Sequence, residues 1–337
     1  MKERIQTMSK VSYFCKKKKL MLKIGVLGAS GLAKIHIRLL IELNDQFELV
    51  GFYEPDDLKA QQISDVYAVK RFLSYDDLLE KVDCVDIVSS TLKHYELATL
   101  ALRKSKHIFL DKPITQTIEE ARSFINLSRE ASVKFQVGST NRFNPAYLAS
   151  ISSINKPKLI DAQNHLQYNA ESSEISLVLD LMMSDIDIIL TIVKSGIRKI
   201  SATGISVFSK ENDIVNVKLE FDNGCVANLS ASRLSKFYRN EMQFFQKEKC
   251  LTVNFLTNEL EEVDLKNIGD SKVIVSTLPE IEALNPIKYE LKSFYDVIVN
   301  DKDPIVSLDD GYNSLIVAHK ILDILNHSNV PAVDNNY

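Results

Sequence analysis

The sequence predicts an α/β protein that starts with a doubly wound parallel sheet and continues with a large open sheet of mostly antiparallel strands. Three observations lead to this prediction. Short apolar strands alternate with helices from Leu22 to Val137, a glycine turn follows the first strand, and beyond Pro145 the strands alternate in polarity. Uniformly apolar strands are buried on both faces, whereas alternating strands keep one face in water.

The length of 337 residues suits two domains of about 150 residues better than one core. We expect residues 1–20, which include the lysine run Lys16 to Lys19, to form a disordered basic tail. A contact of these lysines with a membrane or nucleic acid is the alternative. The first domain is then predicted at residues 21–141 and the second at residues 142–337.

Strands and helices follow each other in strict order in the first half. Leu22–Leu27 is a buried strand, a helix runs to Leu43, and Phe47–Tyr53 is the second strand. The remaining elements are a helix over Lys59–Tyr67, a strand over Lys70–Phe72, a helix over Tyr75–Lys81, a strand over Cys84–Ser89, a helix over His94–Lys104, a strand over His107–Leu110, a helix over Ile118–Ala131 and a strand over Lys134–Val137. Right-handed crossovers between parallel strands give the doubly wound arrangement.

The second half shows the pattern of an antiparallel sheet packed with helices. Two alternating strands, Ile214–Phe221 and Cys225–Ala231, flank the hairpin signal Asp222-Asn223-Gly224. One long helix is expected over Ile175–Lys194. The other expected elements are strands over Lys158–Leu166, Gln243–Phe245, Leu251–Phe255 and Leu260–Leu265, and helices over Ile287–Val299 and Gly311–Leu325.

Composition excludes several classes of partner. The net charge of −4 gives no basic field for nucleic acid. The most apolar stretch, Leu177–Val193, contains three aspartates and therefore does not predict a membrane span. The four cysteines form no CxxC pair and no metal-ligand spacing, which predicts free thiols in the cytoplasm and no metal site.

The first strand runs into a turn that is similar to the dinucleotide fingerprint G-x-G-x-x-G/A. Gly28 permits the tight turn, Ala33 allows close helix packing, and Ser30 replaces the middle glycine next to Gly31. A pyrophosphate would rest on the amides at the helix N-terminus. Glu54 ends the second strand, where a carboxylate binds ribose hydroxyls and repels a 2′-phosphate, so NAD is favoured over NADP. A glycine turn in another kind of α/β sheet is the alternative.

Several motifs resemble those of the glucose–fructose oxidoreductase / inositol dehydrogenase (Gfo/Idh/MocA) family. The strand ending in Asp111-Lys112-Pro113 is similar to the family's E/D-K-P signature. Three further stretches resemble family motifs, the last two those of the branch that acts on nucleotide-linked sugars: Ser89 to His94 (T-P-x-x-x-H), Arg142 to Ala146 (R-F-N-P-A) and Asp180 to Asp187 (D-L-M-x-H-D-I-D). Pro286 to Gly311 resembles the closing segment, so the resemblance covers about residues 21–330.

The resemblance implies an NAD-binding Rossmann domain at residues 21–141 and a substrate-binding and oligomerisation domain at residues 142–337. It assigns catalysis to Lys112, Asp180 and Ser184, and substrate contact to these three and His165. The implied cofactor-binding residues are Gly28, Ser30, Gly31, Leu32, Glu54, Ser89, Ser90, Thr91, His94, Asp111, Lys112, Pro113, Asn141 and Arg142. A cis peptide before Pro113 and a homodimer or homotetramer through the open sheet are also implied.

The chain departs from the family at polar positions of the cleft. Ser184 stands where the family has the histidine that acts as general base, while Ser139 and Asn141 stand where the branch often has histidine and glutamate. A serine cannot accept a proton near neutral pH unaided. The leading hypothesis is therefore an NAD-dependent oxidoreductase acting on a CH–OH group of a sugar or nucleotide-linked sugar. The alternatives are a catalytically impaired protein that binds a dinucleotide or sugar nucleotide, and an oligomeric interaction module.

Overall fold

The computed structural model describes residues 20–168, 176–268 and 271–328. The basic tail expected at residues 1–20 lies outside the described residues except for Leu20. Leu20 is tied to the C-terminal part of the chain, because its carbonyl accepts a 2.6 Å hydrogen bond from the Tyr295 hydroxyl.

The first sheet contains six parallel strands in the order β3-β2-β1-β4-β5-β6. These strands are β1 Leu22–Leu27, β2 Phe47–Tyr53, β3 Arg71–Phe72, β4 Cys84–Ile87, β5 His107–Leu110 and β6 Phe135–Val137. β1 buries every residue except Lys23, as expected for a strand covered on both faces. The strand order reverses direction between β1 and β4, and open α/β sheets bind ligands in the crevice at that point.

Five helices connect these strands, and polar caps fix where several of them begin. They are α1 Gly31–Glu42, α2 Asp57–Ser64, α3 Tyr75–Leu79, α4 Thr91–Arg103 and α5 Ile118–Ala131. Ser30 caps α1 through its side chain, and Thr117 with Glu120 forms a reciprocal capping box at α5. α4 begins at Thr91, earlier than predicted, so His94 lies inside the helix instead of at its start.

The second sheet contains eight strands in the order β14-β13-β12-β11-β7-β10-β9-β8. They are β7 Leu159–His165, β8 Ile197–Ile205, β9 Ile214–Phe221, β10 Val226–Ser232, β11 Arg239–Gln246, β12 Lys249–Asn254, β13 Glu259–Ile268 and β14 Ser271–Thr277. Among the described strands, β7 and β10 pair in parallel and the other neighbours are antiparallel. β9 buries Val215, Val217 and Leu219 and exposes Asn216 and Lys218, which confirms its predicted alternation.

The helices of the second half include the predicted long helix, with a π-helical turn inside it. They are a 3-10 helix Thr140–Phe143, α6 Pro145–Ser150, a π-helix Val178–Met182, α7 Met183–Val193, α8 Pro286–Val299 and α9 Leu308–Ser328. The single helix predicted over Ile175–Lys194 is continuous over residues 177–193, and it contains a π-helical turn at Val178–Met182 that leads directly into α7. π-helical turns inside helices occur frequently at functional sites, and this one contains Asp180.

Helix α8 belongs to the second half of the sequence but packs on the first sheet. Phe294 lies edge-on against Phe109 of β5 with ring centroids 5.8 Å apart, and Tyr295 lies against Phe47 of β2 at 5.6 Å. The two halves therefore share a core. The boundary between residues 141 and 142 stays a prediction.

Candidate functional site

A cavity of about 1120 Å³ opens at the carboxyl ends of β1, β2 and β4. Six of the predicted cofactor-binding residues line it: Gly28, Ser30, Gly31, Glu54, Ser89 and Ser90. Lys34 and Lys59 also lie in its wall. The position matches the crevice in which the reversal of strand order predicts ligand binding.

The glycine turn is built as a close approach between β1 and β4. Gly28 has φ +118°, and a Cβ there would lie 2.8 Å from the Val88 carbonyl oxygen, so only glycine fits. A Cβ on Gly31 would meet nothing within 4 Å, which shows that this residue faces open space. The backbone at Gly31 is therefore accessible to a ligand in the cavity.

Ser30 uses its hydroxyl inside the turn. Its Oγ accepts a 3.2 Å hydrogen bond from the Ala33 amide and donates a 3.1 Å bond to the Val88 carbonyl. The first amides of a helix have no partners within the helix and are available to caps or anions. Ser30 occupies one of these donors at α1, which leaves one donor fewer for a phosphate.

Glu54 is oriented by its own loop. Its Oε1 accepts a 3.1 Å hydrogen bond from the Asp56 amide, and its main-chain oxygen accepts a 2.9 Å bond from Arg71. The carboxylate therefore stands at the end of β2 in the cavity wall. This arrangement suits the recognition of ribose hydroxyls.

His94 lies between the loops that follow β4 and β5 and contacts both of them. Its Nδ1 lies 2.8 Å from the Pro113 carbonyl oxygen, and its Nε2 lies 3.1 Å from the Ser89 carbonyl oxygen. Burial lowers the pKa of the imidazole. Both partners are acceptors and a neutral ring donates from one nitrogen only, so a neutral His94 donates to one of the two carbonyl oxygens and contacts the other. The Lys112–Pro113 peptide beside it is cis, as the resemblance implied.

Lys112, at the end of β5, connects the two halves of the chain. Its Nζ donates to Ser184 Oγ of α7 at 2.9 Å and to Ser139 Oγ at 3.2 Å. The Ser139 hydroxyl in turn donates to Asp187 Oδ2 at 2.7 Å. Two of the three predicted catalytic residues, Lys112 and Ser184, are thus in direct contact.

Arg142 and Asp187 form a buried bidentate pair behind these serines. Arg142 Nη2 donates to Asp187 Oδ1 at 2.7 Å and Arg142 Nε donates to Oδ2 at 3.0 Å. Burial alone would raise the pKa of Asp187, but the hydrogen bonds from Arg142 lower it below its usual value. The guanidinium predicted to bind cofactor is therefore engaged with a carboxylate in this structure.

The remaining acidic residues of this region have raised pKa values. Asp180 is exposed yet crowded by protein, and the resulting desolvation raises its pKa against the opposing charge of Arg233. Asp185 is buried, and burial raises its pKa to about 7 despite the nearby charge of Lys112. Asp111 also has a raised pKa from burial, offset in part by His36, His94 and Lys112.

Some predicted site residues lie away from this cluster. His165 lies on the face of β7 opposite to Asn164, which contacts the π-helical turn, and it bonds to Ser230 Oγ at 3.0 Å. Leu32 packs into the core of the first sheet, and Thr91 begins α4. The buried amide nitrogen of Asn141 has no hydrogen-bond partner among the residues that the structure describes.

Three acidic residues of the region, Asp185, Asp187 and Glu290, have no role that the sequence motifs predict. Each of them is nevertheless marked in the sequence as an acidic residue within an apolar helical pattern. Asp185 and Asp187 interrupt an apolar helix, and Glu290 shares the buried side of α8 with Leu291 and Phe294. Charged residues on a buried face are uncommon unless they are paired or functional.

Comparison with known proteins identifies relatives of this architecture. Residues 22–139 match the Gfo/Idh/MocA family, described as an oxidoreductase family with an NAD-binding Rossmann fold. UDP-N-acetylglucosamine 3-dehydrogenase of Acidithiobacillus ferrooxidans is 27% identical over 241 residues, which is 71% of this chain and 76% of the relative. The scyllo-inositol 2-dehydrogenase (NAD(+)) of Bacillus subtilis is 25% identical over 316 residues, 88% of this chain and 91% of that protein.

The fold is shared with a solved structure of the Acidithiobacillus ferrooxidans enzyme. The TM-score is 0.86 at 22% sequence identity, and the match covers 91% of this chain and 98% of that chain. The predicted combination of a parallel Rossmann sheet with a mostly antiparallel second sheet is thereby confirmed.

A membrane-spanning helix and a metal-binding cluster are both absent from the part of the chain that the structure describes. Within residues 20–168, 176–268 and 271–328, no helix is both long and apolar enough to cross a membrane. The same residues contain no group of three or more histidine, cysteine, aspartate or glutamate side chains placed to hold a metal ion.

Proposed function

Because residues 22–139 match the Gfo/Idh/MocA family of oxidoreductases, we propose that this chain is an NAD-dependent dehydrogenase of a sugar or nucleotide-linked sugar. The oxidised group would be a CH–OH group. The observation that carries the proposal is that a cavity of dinucleotide size and the Lys112 ammonium lie at the same edge of the first sheet. The sugar class is taken from the relatives that are named UDP-N-acetylglucosamine 3-dehydrogenase and scyllo-inositol 2-dehydrogenase.

The residues present fit a nicotinamide dinucleotide. Gly31 leaves open space over the start of α1, and Glu54 presents an oriented carboxylate at the end of β2. These groups suit the pyrophosphate and the adenosine ribose, respectively. NAD when bound supplies the hydride acceptor at the nicotinamide. A 2′-phosphate would lie against the Glu54 carboxylate, which favours NAD over NADP.

Lys112 would bind the oxygen that loses its proton. Its ammonium is held by two hydroxyl groups, Ser139 Oγ and Ser184 Oγ, and a third N–H remains for the substrate oxygen. A positive donor at that point stabilises the negative charge that develops when a hydroxyl becomes a carbonyl.

Asp180 would accept the proton of the substrate hydroxyl. It is accessible, and desolvation raises its pKa, which makes its carboxylate a stronger base. Ser184 cannot take this role because its hydroxyl titrates far from neutral pH, and its Oγ already accepts a hydrogen bond from Lys112. Ser184 therefore orients Lys112.

The second candidate is a protein that binds the dinucleotide or a sugar nucleotide and turns over little. The observation that favours it is the hydroxyl of Ser184 at the position where the resemblance implies a histidine base. Proton transfer by a positioned side chain contributes about 10²–10⁴ to the rate of such reactions. Loss of this contribution would leave binding intact.

One experiment separates these functions. NADH binding is followed by the fluorescence of NADH itself. Turnover is then measured over a panel of UDP-sugars and inositols for the wild type and for Ser184→His. The dehydrogenase proposal predicts NADH binding and turnover by the wild type. Binding without turnover, with turnover gained by Ser184→His, would establish the second candidate, and failure to bind NADH would contradict both.

Assembly and location remain proposals. The open face of the second sheet, which carries Asp161, Gln163 and His165, is the surface we propose for a homodimer or homotetramer. Cys84, Cys225 and Cys250 are free thiols, in keeping with the proposed cytoplasmic location. Sedimentation of the purified protein tests the assembly.

A further inference from the structure

Glu290 is a buried acid that the proposed mechanism does not use. It is 2% exposed and lies on α8, far along the sequence from β5 and from Lys112, which follows that strand. Its Oε1 accepts a hydrogen bond from the main-chain N–H of Ser139. Its main-chain oxygen accepts a 3.2 Å bond from Gln136 Nε2 of β6. The residue is thus fixed at both its main chain and its side chain.

Ser139 is the residue through which Glu290 reaches the candidate site. The Ser139 hydroxyl accepts from Lys112 Nζ at 3.2 Å and donates to Asp187 Oδ2 at 2.7 Å. A shift of the Ser139 backbone would change both contacts. Glu290 holds the main-chain N–H of Ser139, while the main-chain oxygen of Ser139 accepts a 2.8 Å hydrogen bond from the Arg142 amide.

We propose that Glu290 is a positioning residue, which holds Ser139 so that the Ser139 hydroxyl links Lys112 to Asp187. The proposal rests on the proposed function, since Lys112 is the group whose position matters for the reaction. It assigns to α8 a part in the site beyond packing on the first sheet.

The protonation of Glu290 determines which side chain can replace it. Burial raises the pKa of Glu290 to about 8, and the charge of Asp111 adds to this increase. The hydrogen bond from Ser139 and the charges of His36 and Lys112 act in the opposite direction and lower the pKa. The raised pKa favours the neutral form of Glu290 near pH 7, and a neutral carboxyl accepts through its carbonyl oxygen as an amide does. Glutamine should reproduce both its shape and its acceptor at that pH.

The test compares Glu290→Gln, Glu290→Leu and a control on the same helix, Lys288→Met. Lys288 pairs on the surface with Glu42 at 2.8 Å and touches none of the residues above. We measure kcat, the KM for NAD and the hydrogen exchange rate of the Ser139 amide in the full chain.

Glu290→Gln is expected to keep kcat within about threefold of wild type at pH 7, and Glu290→Leu to lower kcat by about 10- to 100-fold, the size of effect that small misplacements cause. The KM for NAD should stay within about threefold in both, because the dinucleotide cavity is untouched. Above about pH 8 the wild-type rate should depart from that of Glu290→Gln, which does not ionise. Lys288→Met should match the wild type.

The amide measurement keeps this proposal separate from the proposed function. The Ser139 amide should be protected in the wild type and in Glu290→Gln, and should exchange at least about tenfold faster in Glu290→Leu. This result can be obtained even if no sugar is turned over. Equal kcat in Glu290→Leu and the wild type, an equal loss in both Glu290 variants, or an unprotected Ser139 amide in the wild type would overturn the proposal.

Discussion

Asp185 and Asp187 are two residues apart on α7 and have opposite electrostatic roles. Asp187 is clamped by Arg142, and those hydrogen bonds lower its pKa against the effect of burial. Asp185 is equally buried, but its Oδ2 has no hydrogen-bond partner in the described part of the chain, and burial raises its pKa to about 7. Ionised Asp187 therefore stabilises the fold, whereas ionisation of Asp185 destabilises it.

We expect Asp185→Asn to stabilise the protein at neutral and alkaline pH. Because the pKa of Asp185 is about 7 in the folded protein and 3.8 for an aspartate in water, the folded state binds more protons between these values, and stability falls as pH rises through this window. The asparagine variant lacks this penalty. Its gain in unfolding free energy should grow from about pH 4 to pH 7 and then level off, with an upper limit of about 4 kcal/mol. Urea unfolding at several pH values measures it.

Asp187→Asn is the matched control and should have the opposite sign. It removes the partner of a buried guanidinium, which costs about 3–5 kcal/mol in comparable pairs. The loss should be present at neutral pH and should diminish as the pH falls through the lowered pKa of Asp187. A stabilised Asp187→Asn, or a destabilised Asp185→Asn at pH 7, would contradict this description of α7.

At the residue scale, sequence motifs predicted Lys112, Ser184 and the glycine turn, because their positions follow from local spacing. They did not predict the roles of Glu290 and Asp187. Those roles depend on Ser139 and Arg142, which lie far away in the sequence and meet them only after α7 and α8 pack. The buried position of an acid was visible in the pattern, but its partner was not.

At the element scale, the N-terminus of α1 allows a direct test of how the dinucleotide binds. Ser30 Oγ accepts the Ala33 amide, a donor that would otherwise face the proposed pyrophosphate site. Ser30→Gly frees that amide, so NADH binding should tighten by about 2- to 10-fold, a change of the size of one hydrogen bond. Titration by NADH fluorescence measures this.

The stability of the same variant provides the control. A serine cap is worth about 0.5–2 kcal/mol against alanine but only a few tenths against glycine. Ser30→Ala should therefore be less stable than Ser30→Gly. Weaker NADH binding by Ser30→Gly would mean that the hydroxyl itself contributes to the binding of the dinucleotide.

The strands that the sequence did not predict have weak patterns for physical reasons. β8 carries a register shift between Ile197 and Lys199, which breaks its alternation of polar and apolar residues. β14 pairs only with β13, and six of its seven residues are exposed, so it has no buried face to reveal. The π-helical turn at Val178–Met182 also follows no pattern that α-helical periodicity could detect. The first sheet was predicted well because its strands are buried on both faces.

At the scale of the whole molecule, α8 joins the second half of the chain to the first sheet. Phe294 is fully buried against Phe109, so Phe294→Ala should lower the free energy of unfolding by about 3–5 kcal/mol. The shared core predicts that both halves unfold together, since a loss at this contact destabilises each. Thermal unfolding followed by calorimetry tests this, and two separate transitions, with only one shifted by the substitution, would contradict a shared core.

The central claim is that Lys112 acts on a sugar hydroxyl beside a bound dinucleotide. Its most direct test is the rate of NADH formation by the wild type and by Lys112→Met on the best substrate of the UDP-sugar and inositol panel. We predict that Lys112→Met lowers kcat by about 10²–10⁴ while its affinity for NADH stays within about threefold of wild type. A variant that keeps the wild-type kcat, or a wild type that forms no NADH with any sugar, would contradict the claim.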